Sequence, residues 1–203
     1  MPLTEREQQT QIKYDVSARE WLEHSGGSDR PCFWAAEMEM FMINLENDEN
    51  VLEVGCGPAT DGKYLNKLGA NVLSTDYSET MLSIAKELNP QGHFMKMDIQ
   101  DLYFKDNSFD GFWATACLLH LEDPDKAIKE LVRVTKKNGI GFISIKEGDG
   151  KAIDPHTGYF FRYYHHPEFV RKLGRLGLQT IQSGRKAGSP NHDWLTYLVK
   201  VVK

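Results

Sequence analysis

The ten residues Val51–Thr60 constrain the fold of this chain more than any other stretch. They read VLEVGCGPAT, so a short apolar run passes directly into two glycines that one residue separates. Glycine is favoured where a backbone turns tightly, or where a ligand approaches closer than a Cβ atom would allow. The pattern predicts a buried strand, a ligand-binding turn made of Gly55, Cys56 and Gly57, and a helix directly after that turn.

Short apolar runs alternate with amphipathic runs through the rest of the chain. That alternation is typical of βαβ units, whose strands build a parallel sheet with helices on both faces. The predicted strands are Asn50–Val54, Asn71–Thr75, His93–Met97, Phe109–Ala116, Ile140–Lys146, Leu178–Ser183 and Trp194–Val202. The predicted helices between them are Asp61–Lys67, Glu79–Leu88, Asp125–Lys136 and Pro167–Leu176. We therefore predict an α/β fold: a doubly wound, Rossmann-like, seven-stranded mixed sheet whose last strand is antiparallel.

Two further helical stretches precede the first strand. The spacing of their apolar residues predicts helices over Gln8–His24 and Cys32–Leu45. Neither helix has a place in the sheet, so residues 1–49 are interpreted as an N-terminal helical cap on a domain of residues 50–203. The cap either folds over the ligand cleft as a lid and excludes water, or packs against an outer helix.

The composition limits the partners of the chain. The 203 residues include 24 basic and 29 acidic side chains, a net charge of −5, which argues against nucleic acid. The first residues are polar and no run of about 18 apolar residues occurs, so no membrane partner is expected. The three cysteines are far apart and form no metal-ligand pattern, so no metal site is expected. These features predict a cytoplasmic protein, and they leave its oligomeric state open.

A carboxylate lies at or near the end of three successive predicted strands. Glu53 lies in the first strand, Asp76 follows the second and Asp98 follows the third. The carboxyl ends of the strands are where folds of this kind bind ligands. Because a buried carboxylate needs a partner, Glu53 is expected at the open end, facing a polar ligand. Asp76 is positioned to bind both ribose hydroxyls of a nucleoside, and Asp98 an adenine amine, with Ile99 packed on the ring.

These motifs resemble those of a known family. The glycine turn, Asp76, Asp98 and the run Phe109–Pro124 (FDGFWATACLLHLEDP) are similar in order and spacing to the class I S-adenosylmethionine-dependent methyltransferases, particularly the type 11 group. The resemblance covers about residues 50–146. It implies S-adenosyl-L-methionine as cofactor and S-adenosyl-L-homocysteine as product. One departure is Ala59, which stands where a third glycine is often found.

The resemblance also implies roles for single residues. Glu53 would serve the methionine end of the cofactor, Asp76 the ribose and Asp98 the adenine, and the end of the fourth strand near Ala114 would line the methyl-transfer site. The predicted cofactor-binding set is Tyr14, Glu53, Gly55, Cys56, Gly57, Asp76, Tyr77, Met81, Asp98, Ile99 and Ala114. No catalytic residue is assigned, because the methyl donor is already activated and most of the acceleration can come from orientation.

A nicotinamide dinucleotide is the competing ligand for a glycine turn on this fold. It favours a small residue three positions after Gly57, where Thr60 stands in this sequence. Its pyrophosphate would also be repelled by Glu53. The sulfonium and ammonium groups of S-adenosyl-L-methionine are cations, so acidic strand ends favour that cofactor.

The substrate side of the domain is expected in the segment near residues 147–175. Residues 158–167 read GYFFRYYHHP, which is either an aromatic recognition wall or a core-packing strand before a helix. Arg162 is expected to bind a carboxylate or phosphate of the acceptor. His120 is either a general base or a residue that caps a turn or fills a crevice. The predicted substrate-binding set is Trp21, Trp34, His120, Arg162, Tyr163, Tyr164 and His165.

The sequence therefore predicts transfer of a methyl group to an oxygen or nitrogen atom of a small acceptor, which is anionic if Arg162 binds it. Two alternatives remain open at this point. The acceptor is a protein or a tRNA, or the domain binds the cofactor without turning it over.

Overall fold

The computed structural model describes residues 3–24, 32–45, 50–189 and 192–203. In chain order its strands are β1 Asn50–Val54, β2 Asn71–Asp76, β3 His93–Lys96, β4 Phe109–Thr115, β5 Thr135–Lys146, β6 Lys151–Ile153, β7 Phe160–Arg162, β8 Leu178–Ser189 and β9 His192–Val201. Its α-helices are α1 Glu5–His24, α2 Ala35–Asn44, α3 Thr60–Lys67, α4 Glu79–Leu88, α5 Asp125–Val134 and α6 His166–Arg175. No helix in the described part of the chain has both the length and the apolar character needed to cross a bilayer.

The predicted mixed sheet is confirmed. Seven strands pair in the order β3-β2-β1-β4-β5-β9-β8. The pairs from β3 to β5 are parallel, and β9 runs antiparallel to both of its neighbours. The carboxyl ends of β1 to β5 therefore lie at one edge of the sheet, and the amino-terminal end of β9 lies at the same edge.

Alternation of side chains along the central strands creates two cores. Leu52 and Phe112, both fully buried, pack on the face of the sheet that α5 and α6 cover. Their neighbours Val51 and Trp113 point to the opposite face and pack with α2 and α3. Because successive residues of a strand point to opposite faces, a strand buried on both sides is apolar throughout. The helices on both faces follow from that composition.

Helix α1 is held against α4 and lies across the ligand-binding edge. Ala18 packs with Met81 and Ile84 in a small apolar cluster. Ser78 caps the amino end of α4, where its hydroxyl accepts a hydrogen bond from the Met81 amide at 3.0 Å. The same hydroxyl donates to the Asp15 carboxylate of α1. The two helices are therefore joined by apolar packing and by a direct hydrogen bond.

The sequence patterns missed one pair of strands and several strand ends. Strands β6 and β7 form a separate antiparallel hairpin after β5. Strand β5 begins at Thr135, where an irregular register with β4 extends the pairing beyond the apolar run. Strand β8 continues to Ser189 through exposed polar residues, because its backbone pairs with β9. Backbone pairing leaves no trace in hydropathy when the side chains face solvent.

Two glycine substitutions test how tightly the sheet core is packed. An added Cβ at Gly141 would lie 2.1 Å from the ring of the buried Phe112, whereas one at the exposed helix residue Gly174 would meet nothing within 4 Å. Gly141→Ala should lower the free energy of unfolding by about 1–3 kcal/mol through overpacking. Gly174→Ala should raise it by about 0.5 kcal/mol, because alanine favours the helix. Urea titrations of both variants measure the two values, and an unchanged Gly141→Ala protein would contradict the described packing.

Candidate functional site

A cavity of about 440 Å³ follows the carboxyl edge of the sheet. Its wall runs from Asp98 and Ile99 after β3, past Tyr77 after β2 and the turn Gly55–Gly57 after β1, to Cys117 after β4. This order repeats the order of the strands. Small-molecule sites commonly have volumes of about 300–1,000 Å³, so the cavity has the size of a ligand site.

The glycine turn has the backbone geometry that its sequence predicts. Gly55 and Gly57 have φ values of +60° and +52°, in the left-handed region that glycine occupies without strain. A Cβ on Gly55 would lie 2.3 Å from the Cβ of Cys117, whereas nothing lies within 4 Å of the corresponding position on Gly57. Ala59 also has a left-handed φ of +53°, which explains why this position suits a glycine. The turn is closed on one side by Cys117 and open above Gly57.

Asp76 joins the ends of β1 and β2. One carboxylate oxygen accepts a hydrogen bond from the Gly57 amide and the other accepts one from the Ser78 amide, both at 2.8 Å. Burial raises the pKa of the Asp76 carboxyl above its usual value, although these two hydrogen bonds oppose the shift. Asp98, which is half-buried, accepts a hydrogen bond from the Gln100 amide at 2.8 Å. Both carboxylates lie on the cavity wall.

Asp61 is an acidic residue of the cavity wall that the sequence motifs missed. Its side chain accepts hydrogen bonds from the indole of Trp113 at 3.0 Å and from the hydroxyl of Thr115 at 2.9 Å. The residue lies in the first turn of α3, four positions after Gly57. Its position after the glycine turn was a signal that could have identified it, because the first turn of a helix that follows such a turn faces the ligand.

The structure corrects the expected position of Glu53. Its side chain is 2% exposed and does not line the cavity. One carboxyl oxygen accepts a hydrogen bond from the Gly62 amide at 3.0 Å, and the other accepts one from the Ser74 hydroxyl at 2.5 Å. Burial, with the nearby charge of Asp61, raises the pKa of Glu53 to about 8. Glu53 thus joins β1 to β2 and α3 instead of facing the ligand.

The structure also corrects the position of Ala114. This residue is fully buried in the core on the α5 side of the sheet. The cavity wall begins one residue later, at Thr115, and continues through Ala116 and Cys117. Because adjacent strand residues point to opposite faces, a shift of one position moves a side chain from the core to the cavity.

Tyr14 and His120 form a hydrogen-bonded pair on the cavity wall. The His120 Nδ1 atom lies 2.9 Å from the carbonyl oxygen of Phe160, which can only accept, so Nδ1 carries the proton in the neutral ring. Nε2 then accepts a hydrogen bond from the Tyr14 hydroxyl at 2.9 Å. Burial lowers the pKa of His120 to about 4, so the ring is neutral at pH 7. Both ring nitrogens are therefore bound within the protein.

One face of α1 contributes to the wall. Besides Tyr14, its members on the wall are Glu7, Thr10, Gln11 and Trp21. Only Tyr14 and Trp21 among them were predicted as site residues. All five recur at helical spacing, so the periodicity of the helix could have indicated the other three. Met81 of α4, to which Trp21 is close in the small apolar cluster, also lines the cavity.

Aromatic residues close the end of the cavity next to β9. Trp34 lies at the start of α2, is 6% exposed, and contacts Trp194 of β9 edge to face, with 5.7 Å between ring centroids. Phe33 packs edge to face on Trp34 at 4.6 Å. All three line the cavity together with Gly188 of β8. The sequence identified Trp34 but missed the other three residues, because no local motif marks them.

The structure corrects four substrate-side predictions. Arg162, Tyr163, Tyr164 and His165 do not line the cavity. The guanidinium of Arg162 donates to the Glu122 carbonyl and lies over the Tyr164 ring.

These residues lie in a layer behind the wall or away from it. Tyr164 is 1% exposed within the sheet core, and His165 is exposed and pairs with Asp149 at 2.8 Å. Tyr159, from the same segment, stacks on Tyr14 at 4.2 Å between ring centroids. The aromatic residues of this segment support the cavity wall, since the β6–β7 hairpin packs behind α1 and His120.

The burial of neutral His120 predicts how the free energy of unfolding depends on pH. Its pKa is about 4 in the folded protein and 6.5 in an ordinary setting, so the folded state resists protonation. The contribution of His120 to the free energy of unfolding is fully present above pH 6.5. It is lost as the pH drops from 6.5 to 4, which lowers the free energy of unfolding by on the order of 2–3 kcal/mol. His120→Gln should flatten that part of the curve, which denaturant titrations at several pH values measure.

His165→Gln is the matched control. The Asp149 carboxylate raises the pKa of His165, so its contribution is present below the ordinary pKa and is lost as the pH rises. The control should therefore keep the acid-side loss of stability. An imidazole of His120 that titrates near 6.5 by NMR would contradict its buried, hydrogen-bonded position.

The chain is similar to known methyltransferases. A family model described as a methyltransferase domain matches residues 52–143. A demethylmenaquinone methyltransferase of Streptomyces griseus is 36% identical over 161 residues, which are 79% of this chain and 64% of that protein. A malonyl-[acyl-carrier protein] O-methyltransferase of Buchnera aphidicola is 36% identical over 100 residues, which are 49% of this chain and 40% of that protein. The chain thus spans about two fifths to just under two thirds of the length of these two relatives.

A solved structure has a similar fold. The 1,6-didemethyltoxoflavin-N1-methyltransferase of Burkholderia thailandensis, which holds 1,6-didemethyltoxoflavin and S-adenosylhomocysteine, matches with a TM-score of 0.77 at 18% identity. The match covers 100% of this chain and 93% of that one. The glycine turn, the acidic strand ends and the family match agree, so residues 52–143 of this chain belong to the type 11 group of the class I S-adenosylmethionine-dependent methyltransferases.

Proposed function

We propose that this protein transfers a methyl group from S-adenosyl-L-methionine to an oxygen or nitrogen atom of a small acceptor. The observation that carries the proposal is the juxtaposition, in one cavity, of a glycine turn and the carboxylates of Asp76 and Asp98 at the ends of neighbouring strands. The relatives that carry methyltransferase names, and the similar structure that holds S-adenosylhomocysteine, support the same reaction.

The residues of the cavity fit the proposed cofactor. The space above Gly57 admits a ligand close to the backbone. Among the described residues, no Lys or Arg forms an ion pair with Asp76 or Asp98. Carboxylates without a basic partner produce a negative potential, which favours a cationic ligand over a pyrophosphate. The negative potential of the two carboxylates therefore favours the sulfonium cofactor over a dinucleotide.

Each wall residue has a proposed role. Asp76 accepts the hydrogen bonds of the ribose hydroxyls. Asp98 accepts a hydrogen bond from the exocyclic amine of the adenine, while Ile99 and Tyr77 contact the ring. Asp61, held in place by its hydrogen bonds with Trp113 and Thr115, lies beside the glycine turn and serves the methionine end. Glu53 acts indirectly, because its hydrogen bonds to Gly62 and Ser74 hold α3 and β2 against the turn.

The protein contributes orientation and exclusion of water. S-adenosyl-L-methionine would supply an activated methyl group, whose carbon an oxygen or nitrogen lone pair of the acceptor would attack while S-adenosyl-L-homocysteine leaves. Cavity walls hold the acceptor in line, and alignment of this kind is worth on the order of 7–11 kcal/mol in favourable cases. We propose that residues 1–49 act as the cap of the site, because Tyr14 and Trp34 from this part of the chain line the cavity. The rest of the wall comes from residues 50–203.

An acceptor attached to a protein is the second candidate. The similarity to a malonyl-[acyl-carrier protein] O-methyltransferase favours it. Transfer of a labelled methyl group from S-adenosyl-L-methionine distinguishes the candidates, when small molecules, acyl-carrier protein and tRNA are offered separately. Label in the small-molecule fraction supports the first proposal, and label in protein the second. Binding of the cofactor without transfer to any acceptor would favour a binding module.

The role of Asp76 predicts a loss of cofactor affinity. Asp76→Ala should weaken S-adenosyl-L-homocysteine binding by about 1–3 kcal/mol, the scale of hydrogen bonds to a charged group. Asp106→Ala is the matched control, because Asp106 is exposed, pairs with Arg133 and lies outside the cavity. Calorimetry on both folded variants measures the difference. Native affinity in Asp76→Ala would contradict the ribose role.

A further inference from the structure

The two ends of the cavity differ in chemistry. The end next to β2 and β3 carries Asp76 and Asp98, and Asp61 lies between the two ends, where it accepts hydrogen bonds from Trp113 and Thr115 of β4. The end next to β4 and β9, called here the acceptor end, is lined by Tyr14, Phe33, Trp34, His120 and Trp194. We propose that the acceptor is an uncharged, planar aromatic compound whose hydroxyl or N–H group donates a hydrogen bond to the Tyr14 oxygen. This inference rests on the proposed function and names the substrate class of the same site.

The described residues of the acceptor end offer no cation to an anionic ligand. None of the described residues that line the cavity is Lys or Arg. The ammonium of Lys186 binds the Glu37 carboxylate at 2.8 Å and lies over the rings of Phe33 and Trp34. Arg162 is bound to a backbone carbonyl outside the wall.

Lys146 is a further basic residue, among those that the structure describes, close to this end. Its ammonium lies 3.7 Å from the ring centroid of Phe161 and 5.8 Å from that of Trp194, and it does not line the cavity. A carboxylate or phosphate in the acceptor end would therefore be desolvated without a partner, which is unfavourable.

Nor does the described part of the acceptor end offer an exposed carboxylate to a cationic ligand. Glu7 is its carboxylate on the cavity wall and is 6% exposed. One oxygen of Glu7 accepts a hydrogen bond from the Glu122 amide at 2.8 Å, and the other accepts one from the Thr4 amide at 2.9 Å. Glu7 is therefore a buried carboxylate that joins α1 to the loop before α5, whereas Asp76 and Asp98 are half-buried on the cavity wall. An uncharged ligand can therefore bind at this end without the free-energy cost of desolvating its own charge.

The aromatic side chains favour a flat ligand. Trp34 and Trp194 meet edge to face, with an interplanar angle of 81°, so they form two sides of a corner. The ring of Tyr14 is fixed by stacking on Tyr159 at an interplanar angle of 8°. Aromatic rings in such settings bind planar ligands by stacked or edge-to-face contact.

The hydrogen-bond direction at Tyr14 selects a donor. The Tyr14 hydroxyl donates its hydrogen bond to His120 Nε2, because the Phe160 carbonyl fixes the proton of the neutral ring on Nδ1. The Tyr14 oxygen is then left with lone pairs only. A ligand hydroxyl or N–H can donate to it, whereas an ether or a carbonyl cannot. Tyr14 is thus a positioning residue for the atom that receives the methyl group.

Four probes that share a naphthalene ring test the proposal. They are 2-naphthol, 2-methoxynaphthalene, 2-naphthoate and 2-naphthylmethylammonium, titrated at pH 7 into the full chain saturated with S-adenosyl-L-homocysteine. Quenching of tryptophan fluorescence and calorimetry report binding. We expect 2-naphthol to bind about tenfold or more tightly than either charged probe, because of the desolvation of charge. We expect it to bind about fivefold more tightly than the methoxy probe, because of the lost hydrogen bond.

Matched variants separate the contributions. Tyr14→Phe keeps the ring and should abolish the preference for 2-naphthol over 2-methoxynaphthalene. Tyr159→Phe removes a hydroxyl that binds Ser17 outside the cavity, and should keep that preference. Trp194→Phe preserves an aromatic side chain, and should weaken binding of all four probes without changing affinity for S-adenosyl-L-homocysteine.

Different results would contradict the substrate class, the role of Tyr14 or the proposed function. Tighter binding of 2-naphthoate or of 2-naphthylmethylammonium overturns the proposal, and so does binding of no probe to a protein that binds S-adenosyl-L-homocysteine. A preference for 2-naphthol that survives in Tyr14→Phe overturns the role of Tyr14. A chain that does not bind S-adenosyl-L-homocysteine instead contradicts the proposed function itself.

Discussion

The in-register parallel pairing of β1 with β2 is the constraint on which the site depends. Residues Asn50–Val54 pair in order with residues 71–75, so both strands end at the same level. This alignment brings the turn after β1 close to the residue that ends β2, and the Gly57 amide donates to the Asp76 carboxylate at 2.8 Å. A shift of register by one residue would break that hydrogen bond and turn every side chain of the strand to the opposite face.

Much of the fold and the cofactor side of the cavity could be predicted from the sequence, because both depend on local patterns. Apolar runs identify the central strands, and the glycine turn marks the point where the backbone must bend. Asp76 ends β2 and Asp98 lies two residues after the end of β3, so strand polarity alone brings them to one edge. Trp194 could not be predicted in the same way. It reaches the cavity because β9 is antiparallel, which is a property of the sheet as a whole.

The incorrect predictions have physical causes. Arg162 lies among aromatic residues, and such a segment is equally consistent with a binding wall and with buried packing; the β6–β7 hairpin makes it packing. The prediction of Ala114 was wrong by one position, and in a strand one position separates a side chain that faces the core from one that faces the cavity. Glu53 was expected to need a charged or polar ligand, yet the Ser74 hydroxyl and the Gly62 amide satisfy it, and its raised pKa shows how strongly burial opposes its charge.

The antiparallel direction of β9 affects how acceptor selectivity can change during the evolution of such a protein. The proposed donor-binding residues Asp61, Asp76 and Asp98 lie within the matched residues 52–143, whereas much of the acceptor end comes from α1, from Phe33 and Trp34, and from strands β8 and β9. In the proposed function, recognition of the two ligands is therefore encoded in separate stretches of the polypeptide. Changes in the terminal stretches can alter selectivity while the nucleoside pocket keeps its form, so descent from a common ancestor preserves the reaction more readily than the compound that is methylated.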